Sequence, residues 1–202
     1  MKISIIIPCY NVEEWITKCL DSIELREDIE IILINDSSTD NTNNLIKEWI
    51  DVKQFENIKY ISNEINIGEG LTLNKGFDRA VGEYVLIVDS DDWLMKKTSV
   101  MISELTGEDM IYYDLETNNG TIFKVTQETK MMYCGATKLY KRSFLGETRR
   151  NDKRIHGDVE LYYKLLEKKP TEKFTSIIFY HYNFPRIGSL TDRFMNSEAM
   201  KK

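Results

Sequence analysis

Along the first half of the chain, short apolar runs alternate with stretches whose apolar residues recur at helical spacing. The runs are short, rich in β-branched residues and largely uninterrupted by polar ones, which predicts buried parallel strands. They are Ile3–Ile7, Glu30–Ile34, Ile58–Ile61 and Tyr84–Val88. The stretches between them predict amphipathic helices, and a capping box formed by Asn11 and Glu14 would begin the first. This alternation of strand and helix is typical of an α/β fold whose mostly parallel central sheet is flanked by helices.

After Asp92 the pattern is looser and predicts shorter elements. These are a helix around Met101–Leu105, strands at Met110–Tyr113, Thr121–Thr126 and Phe174–Tyr182, and a helix just after Asp158. Thr121–Thr126 alternates between apolar and polar residues after a turn, which favours a small antiparallel part in the C-terminal region. No repeat, low-complexity tract or linker divides the chain, so we interpret 1–202 as a single domain with halves 1–97 and 98–202.

Composition and charge narrow the classes of function. The net charge is −6 and the basic residues form only short pairs, which argues against a nucleic-acid partner. Three cysteines without zinc spacing indicate reduced thiols. No apolar run is long enough for a signal peptide or a transmembrane segment, so we expect a cytoplasmic protein.

Three acidic residues, Asp89, Asp91 and Asp92, follow directly after the run Tyr84–Val88. Ligands of open α/β sheets bind outside the carboxyl ends of the strands, and the loops Pro8–Asn11 and Asn35–Ser38 are expected at the same edge. Carboxylates crowded together repel one another unless a cation or a hydrogen-bond donor relieves them. A divalent metal that carries a phosphate would do so. A helix N-cap at Asp92 is the alternative, and the acids alone leave both interpretations open.

Several motifs follow one another in an order that resembles the family 2 glycosyltransferases, which have the GT-A fold. The residues that carry the resemblance are Ser4–Asn11, Glu30–Asp40, Asn66–Gly68, Asn74–Gly76, Asp89–Asp92, Lys138–Arg142, Asp158 and Arg186–Ser189. Each motif is weak alone, but together they cover nearly the whole chain in the family's order. The resemblance implies that 1–97 is the nucleotide-sugar-binding half and 98–202 the acceptor-side half.

The resemblance implies a nucleotide-sugar donor, most simply a UDP-sugar, and it gives roles to the residues at the predicted edge. Asp36 would recognise the base, with Pro8 and Tyr10 as walls and Asn11 in the nucleotide loop. On local sequence alone, a simple strand-ending turn is the favoured explanation for Pro8 and Tyr10.

The family's metal-binding DXD motif corresponds to Asp89-Ser90-Asp91. Asp91 would bind Mn²⁺ or Mg²⁺, and Asp89, beside Ser90, would contact the ribose. Asp92 would cap the next helix or touch the sugar. The metal would stabilise the negative charge of the leaving diphosphate.

The same resemblance places Asp158 as the general base of an inverting transfer to an acceptor hydroxyl. Locally, Asp158 serves equally well as the N-cap of the helix that follows, and both roles are compatible. Glu160 is a weaker alternative base. Arg186 would pair with phosphate, because its charge is permanent and its donors form a fork. His181 would complete the metal shell, although a lone His on a strand is more often structural.

Lys138 would orient the acceptor or Asp158, with a plain surface lysine as the alternative. The acceptor itself is expected to be a glycan, glycoprotein or glycolipid. The small acceptor-side half suggests that a homo-oligomer or a partner chain completes that site.

The chain departs from the family pattern at two positions. Leu73 stands where relatives usually carry Arg, and Gly157 stands where they commonly carry Glu. Both changes remove a charged group, so a catalytically silent nucleotide-sugar-binding or assembly subunit is the alternative function.

Overall fold

The computed structural model describes residues 1–130, 137–151 and 157–185. The strands are β1 Ile3–Cys9, β2 Ile29–Asn35, β3 Ile58–Ser62, β4 Tyr84–Ile87, β5 Trp93–Leu94, β6 Met110–Thr117, β7 Ile122–Phe123, β8 Lys138–Lys141 and β9 Glu172–Tyr182. The helices are α1 Ile16–Asp21, α2 Thr42–Lys53, α3 Glu69–Arg79, α4 Thr98–Ser103, α5 Arg142–Leu145 and α6 Gly157–Glu167.

The first four strands form a parallel sheet in the order β3-β2-β1-β4. Residues of β1 pair with β2 from Ile3 opposite Ile29 to Cys9 opposite Asn35. Helices cover both faces of the sheet, so the side chains that point to either face are buried. This explains why the apolar runs are uninterrupted. The predicted parallel sheet is confirmed.

The same sheet continues through β8, β6, β9 and β5, with β7 added beside β6. β8 runs antiparallel to both β4 and β6, and β5 runs antiparallel to β9. The antiparallel part in the C-terminal region is therefore confirmed. β6 and β9 pair in parallel, which the sequence pattern did not predict. One sheet thus contains strands from both 1–97 and 98–202.

Two apolar clusters pack on opposite faces of this sheet. Ile5 and Ile7 of β1 belong to the cluster that includes α1 and α2, whereas Ile6 belongs to the cluster that includes α3 and α6. Leu73 of α3 is fully buried in the second cluster. In the described part of the chain, no helix has the length and apolar character needed to cross a bilayer.

The first helix differs from its prediction. α1 begins at Ile16, and the residue before it, Trp15, makes no side-chain capping hydrogen bond. Asn11 does not cap this helix; its side-chain oxygen accepts from the Thr39 amide at 2.8 Å. The proposed capping box is therefore wrong, because Asn11 is used to hold a neighbouring loop.

Candidate functional site

The loops that follow β1 and β2 are joined by hydrogen bonds at the carboxyl edge of the sheet. The Asp36 amide donates to the Cys9 carbonyl at 2.8 Å, which continues the ladder between the two strands. The Asn11 amide donates to Ser38 Oγ at 3.1 Å. Asn11 has a φ of 51°, a left-handed conformation that Asn tolerates better than most residues. The loop after β4 reaches the same edge because β4 runs parallel to β1, so the predicted convergence is confirmed.

The predicted base walls lie in the loop after β1. Pro8 is half-buried within β1 and Tyr10 has an exposed ring immediately after it. An exposed aromatic ring at a ligand-binding edge can stack on a base. The roles of Pro8, Tyr10 and Asn11 in binding a base stay predictions.

Asp36 directs its carboxylate into the protein. It is 3% exposed, and its Oδ1 accepts from Asn63 Nδ2 at 2.8 Å and from the Ile67 amide at 2.9 Å. Its Oδ2 accepts from the Gly68 amide at 2.8 Å. Asp36 therefore fixes the loop between β3 and α3. The sequence pattern did not predict this role of Asp36, although the polar residues of the loop Asn63–Gly68 could have indicated it.

Asp92 is also engaged by the protein. It is 1% exposed; its Oδ2 accepts from Tyr180 Oη at 2.7 Å and its Oδ1 accepts from the Asn183 amide at 2.8 Å. The Tyr180 hydroxyl in turn accepts from the Asp89 amide at 3.0 Å. The next element is strand β5, so the interpretation of Asp92 as a helix N-cap is wrong. Its carboxylate holds β9 against the loop Asp89–Asp92, which we call the acidic loop.

Asp89 and Asp91 are more accessible than Asp92. Both are half-buried, and Ser90 between them is buried. Burial raises the pKa of Asp89 well above its usual range, and the nearby negative charges of Glu69, Asp92 and Asp91 add to this rise. A bound cation would relieve that repulsion. The ribose role of Asp89 and Ser90 and the metal role of Asp91 stay predictions.

His181 lies beside the acidic loop because Trp93 of β5 pairs with it. Its ring stacks on Trp93 at 3.9 Å between centroids and 11° between planes, and its Nε2 lies 3.0 Å from Asn118 Oδ1. Burial lowers the pKa of His181. These contacts fit a structural role for His181, which is the more common role of a lone histidine on a strand. Its metal role stays a prediction, and no group of three His, Cys, Asp or Glu side chains among the described residues is arranged to hold a metal.

Asp158 lies in the first turn of α6, which begins at Gly157. It is therefore inside the helix and not at the capping position before it, and an acid there is favoured by the helix dipole. The weaker candidate Glu160 accepts from Asn151 Nδ2 and pairs with Lys164 at 2.8 Å. Arg186, the predicted phosphate ligand, lies outside the described residues.

Two cationic residues near α6 are more buried than expected. Lys138 is 1% exposed, and its Nζ lies 4.6 Å from the centroid of the Tyr162 ring. The alternative of a surface lysine is therefore wrong. Arg150 is 7% exposed and pairs with Glu69. In the sequence, Arg150 is only one member of the short basic pair Arg149-Arg150, because no local pattern distinguishes a buried arginine from an exposed one.

Comparison with known proteins identifies a family. The family model described as glycosyl transferase family 2 matches residues 4–158 of this chain. A poly(ribitol-phosphate) beta-glucosyltransferase of Bacillus spizizenii is 34% identical over 169 residues, which are 74% of this chain and 26% of that protein. The poly(ribitol-phosphate) beta-N-acetylglucosaminyltransferase TarS of Staphylococcus aureus is 30% identical, over 72% of this chain and 28% of that protein. The chain thus spans about a quarter of the length of these two relatives.

A solved structure of TarS also resembles this chain. The crystal structure of S. aureus TarS 1–349 in complex with UDP matches with a TM-score of 0.78 and 25% identity. The match covers 91% of this chain and 60% of that one.

Proposed function

Since the chain belongs to the family 2 glycosyltransferases and has the GT-A fold, we propose that it transfers a sugar from a nucleotide-sugar donor to an acceptor hydroxyl. The observation that carries the proposal is the meeting of the loops after β1, β2 and β4 at one edge of the sheet. Asp89 and Asp91 are half-buried at that edge. A UDP-sugar is the proposed donor, since the matching TarS structure contains UDP.

The donor would lie across the loops after β1 and β2. Tyr10 offers an exposed ring for the base, and Asn11 keeps the first loop against the second through Ser38 and Thr39. Asp36 would contribute in two ways. It holds the loop Asn63–Gly68 in place, and the second acceptor site of its Oδ2, which already accepts from the Gly68 amide, would accept from the base.

Mg²⁺ or Mn²⁺ is the proposed cofactor, held by Asp91 with Asp89 beside it. Carboxylate oxygens are the hard ligands that these ions prefer, and Mg²⁺ commonly uses one or two carboxylates together with substrate phosphates and water. A donor set of two acids therefore fits an ion that arrives with the diphosphate. When bound, the ion supplies positive charge that stabilises the leaving nucleoside diphosphate.

Asp158 is the proposed general base. It would accept the proton of the acceptor hydroxyl as that oxygen attacks the anomeric carbon. The bond from that carbon to the diphosphate oxygen breaks in the same displacement, so the configuration inverts. The position of Asp158 in the first turn of α6 gives it a fixed backbone, which a base that must meet the acceptor needs.

The acceptor is proposed to be a glycan hydroxyl. The two relatives described above are named as poly(ribitol-phosphate) transferases, which makes a polyol-phosphate polymer the first acceptor to try. A glycoprotein or glycolipid acceptor, a homo-oligomer that completes the acceptor side and a cytoplasmic location also stay predictions.

The test is a binding and turnover panel on the purified protein. UDP-glucose, UDP-N-acetylglucosamine, a GDP-sugar and a dTDP-sugar are each added with and without Mn²⁺, and the melting temperature and donor hydrolysis are measured. A ligand that binds only the folded protein raises its stability, by about 2.7 kcal/mol at a hundredfold excess over Kd. We expect a metal-dependent shift and slow hydrolysis with a UDP-sugar.

The outcomes separate the proposals. A shift without hydrolysis or transfer to any acceptor would favour the silent binding subunit that Leu73 and Gly157 suggest. If no donor raises the melting temperature and none is hydrolysed, the proposed function is overturned.

A further inference from the structure

Lys75 of α3 is joined to Asp36, the proposed base-recognising residue, through a single side chain. The Lys75 ammonium donates to Asn63 Oδ1 at 2.6 Å, and Asn63 Nδ2 donates to Asp36 Oδ1 at 2.8 Å. Asn63 follows β3 directly and is 6% exposed, and its backbone amide donates to the Asn35 carbonyl at 2.8 Å. A cation on α3 therefore reaches the carboxyl edge of the sheet through two successive hydrogen bonds.

The chemistry of these groups fixes the orientation of the Asn63 side-chain amide. An ammonium group can only donate hydrogen bonds, so the amide oxygen must face Lys75. The amide nitrogen then faces Asp36, and it also donates to the buried Thr72 Oγ1 at 3.2 Å. Without the ammonium, the amide is free to turn over and to present its oxygen to the Asp36 carboxylate, where two acceptors would repel each other.

The orientation of Asn63 decides which oxygen of Asp36 is open to a ligand. Oδ1 accepts from Asn63 Nδ2 and from the Ile67 amide, which fills both of its acceptor sites. Oδ2 accepts from the Gly68 amide at 2.8 Å, which leaves its second acceptor site. A base that binds Asp36 therefore finds its acceptor at Oδ2, in a place that the Asn63 hydrogen bond helps to set.

Lys75 also bears on a departure of α3 from the family pattern. Leu73, which stands where relatives usually carry Arg, is fully buried in the apolar cluster that includes α3 and α6. Lys75 lies two residues further along the helix, so its side chain leaves the helix in a different direction. That direction leads to Asn63. Lys75 is thus a cation of α3 that is tied to the base-recognising carboxylate.

We propose that Lys75 is a positioning residue that sets the preference of the site for uracil, because it holds Asn63 so that one acceptor site of Asp36 stays available to the base. This inference rests on the proposed function and deepens it. Uracil in a nucleotide has one ring N–H donor, at N3, which pairs with a carboxylate oxygen. Cytosine has an acceptor at N3, which the same oxygen repels. A correctly held Asp36 therefore favours UDP over CDP.

Two simpler explanations of Lys75 make different predictions. If its hydrogen bond only stabilises the fold, replacing Lys75 lowers the free energy of unfolding and leaves the affinities for nucleotides unchanged. If Lys75 only attracts the diphosphate as a surface charge, its removal weakens the binding of UDP and CDP equally. The ratio of the two affinities therefore separates the positioning role from both alternatives.

The experiment uses the full chain with Mn²⁺. Calorimetry measures the affinities for UDP and CDP, and steady-state assays of hydrolysis or transfer give kcat and KM for the UDP-sugar. The variants are Lys75→Met, Lys75→Arg, Asn63→Ala, the double variant Lys75→Met with Asn63→Ala, and Arg79→Met. Arg79→Met is the matched control, because Arg79 is exposed and lies one turn after Lys75 on the same face of α3. Urea denaturation reports whether each variant is folded.

We expect Lys75→Met to lower the affinity for UDP about 10-fold, the effect of one misplaced hydrogen bond, and to change the affinity for CDP less than about 2-fold. KM should rise while kcat stays near that of the parent, because the base is bound equally in the ground state and the transition state. Lys75→Arg keeps donors for Asn63 Oδ1 and should recover part of the UDP affinity. Arg79→Met should match the parent.

Asn63→Ala tests whether Lys75 acts through the amide. In this background Lys75→Met should cause no further loss of UDP affinity, since the group that transmits its effect is gone. A full additional loss in the double variant would overturn the role of Lys75. If Asn63→Ala does not fold, the ratio of UDP to CDP affinity in Lys75→Met alone decides.

Three further results would also overturn the role of Lys75. They are an unchanged UDP affinity in Lys75→Met, equal losses of UDP and CDP affinity in that variant, and a parent protein that binds CDP as tightly as UDP. A parent protein that neither binds UDP nor turns over a UDP-sugar would instead refute the proposed function.

Discussion

The acidic side chains at the carboxyl edge of the sheet divide into two pairs according to how deeply they are buried. Asp36 and Asp92 are almost fully buried and accept hydrogen bonds from the protein's own amide and hydroxyl groups. Asp89 and Asp91 are half-buried and lie near one another's charge. The first pair builds the loops, and the second pair is better placed to receive a ligand. Neighbouring acids of one motif can therefore differ in role, because Asp92 holds β9 in place while the ligand-binding roles of Asp89 and Asp91 stay predictions.

Asp158 is the residue whose replacement separates an enzyme from a binding protein. Asp158→Asn keeps the size and the position in the first turn of α6 but cannot accept the hydroxyl proton, so kcat should fall by about 10²- to 10⁴-fold. UDP affinity should stay near that of the parent. Kinetics and calorimetry on the same preparation check this, with Asp78→Asn on the exposed side of α3 as a control. Unchanged transfer by Asp158→Asn would remove it as the base.

Among the elements, the parallel strands and the loops at their carboxyl edge could be predicted from the sequence, but the pairing of β9 could not. Apolar runs identify strands, and parallel strands bring their carboxyl ends together, so the positions of Asp36 and Asp89 follow. β9 pairs with β6 in parallel and with β5 antiparallel, which no local pattern specifies. The partners of Asp92 are about 90 residues away in the chain, so its structural role was equally hidden.

Strand β9 supports the acidic loop through the Tyr180 hydroxyl, which accepts from the Asp89 amide and donates to the Asp92 carboxylate. Tyr180→Phe removes both of these hydrogen bonds, which should cost about 1–3 kcal/mol of unfolding free energy. The loosened loop should also weaken the metal-dependent binding of UDP. Urea denaturation and calorimetry measure the two effects.

Tyr84→Phe is the matched control for that prediction. Tyr84 is also fully buried, and its hydroxyl donates to the Glu108 carbonyl at 2.9 Å, outside the acidic loop. Tyr84→Phe should lose a similar amount of unfolding free energy to Tyr180→Phe, while its affinity for UDP stays equal to that of the parent. If both variants bind UDP equally well, Tyr180 has no role in the site beyond packing.

At the scale of the whole molecule, one buried carboxylate joins the four parallel strands at the end of the sheet opposite the site. Glu30 of β2 is 1% exposed and accepts from Ser4 of β1 at 2.5 Å and from the Val81 amide, just before β4, at 2.6 Å. Its other oxygen pairs with Lys59 of β3 at 2.7 Å. A Cβ on Gly82 would lie 2.5 Å from the Ser4 amide nitrogen, so glycine is needed where this turn closes.

This junction predicts a pH-dependent stability that leaves the site unaffected. Burial alone would raise the pKa of Glu30, but its hydrogen bonds to Lys59, Ser4 and Val81 outweigh burial, and the pKa is lowered. A carboxylate whose pKa is lower in the folded protein stabilises it above the unfolded pKa, about 4.3, and this contribution is lost as the pH falls through the folded value. Glu30→Gln should therefore be less stable than the parent by about 1–2 kcal/mol at neutral pH.

That difference should shrink as the pH falls below about 4, while UDP affinity at neutral pH stays parental, because Glu30 lies at the far end of the strands. Urea denaturation of parent and variant across this pH range measures it. Glu83→Gln, which breaks an exposed pair with Lys2, serves as the control and should change stability by less than about 0.5 kcal/mol at any pH. A stability gap for Glu30→Gln that stays constant from neutral to acidic pH would mean that the charge of Glu30 does not hold the four strands together.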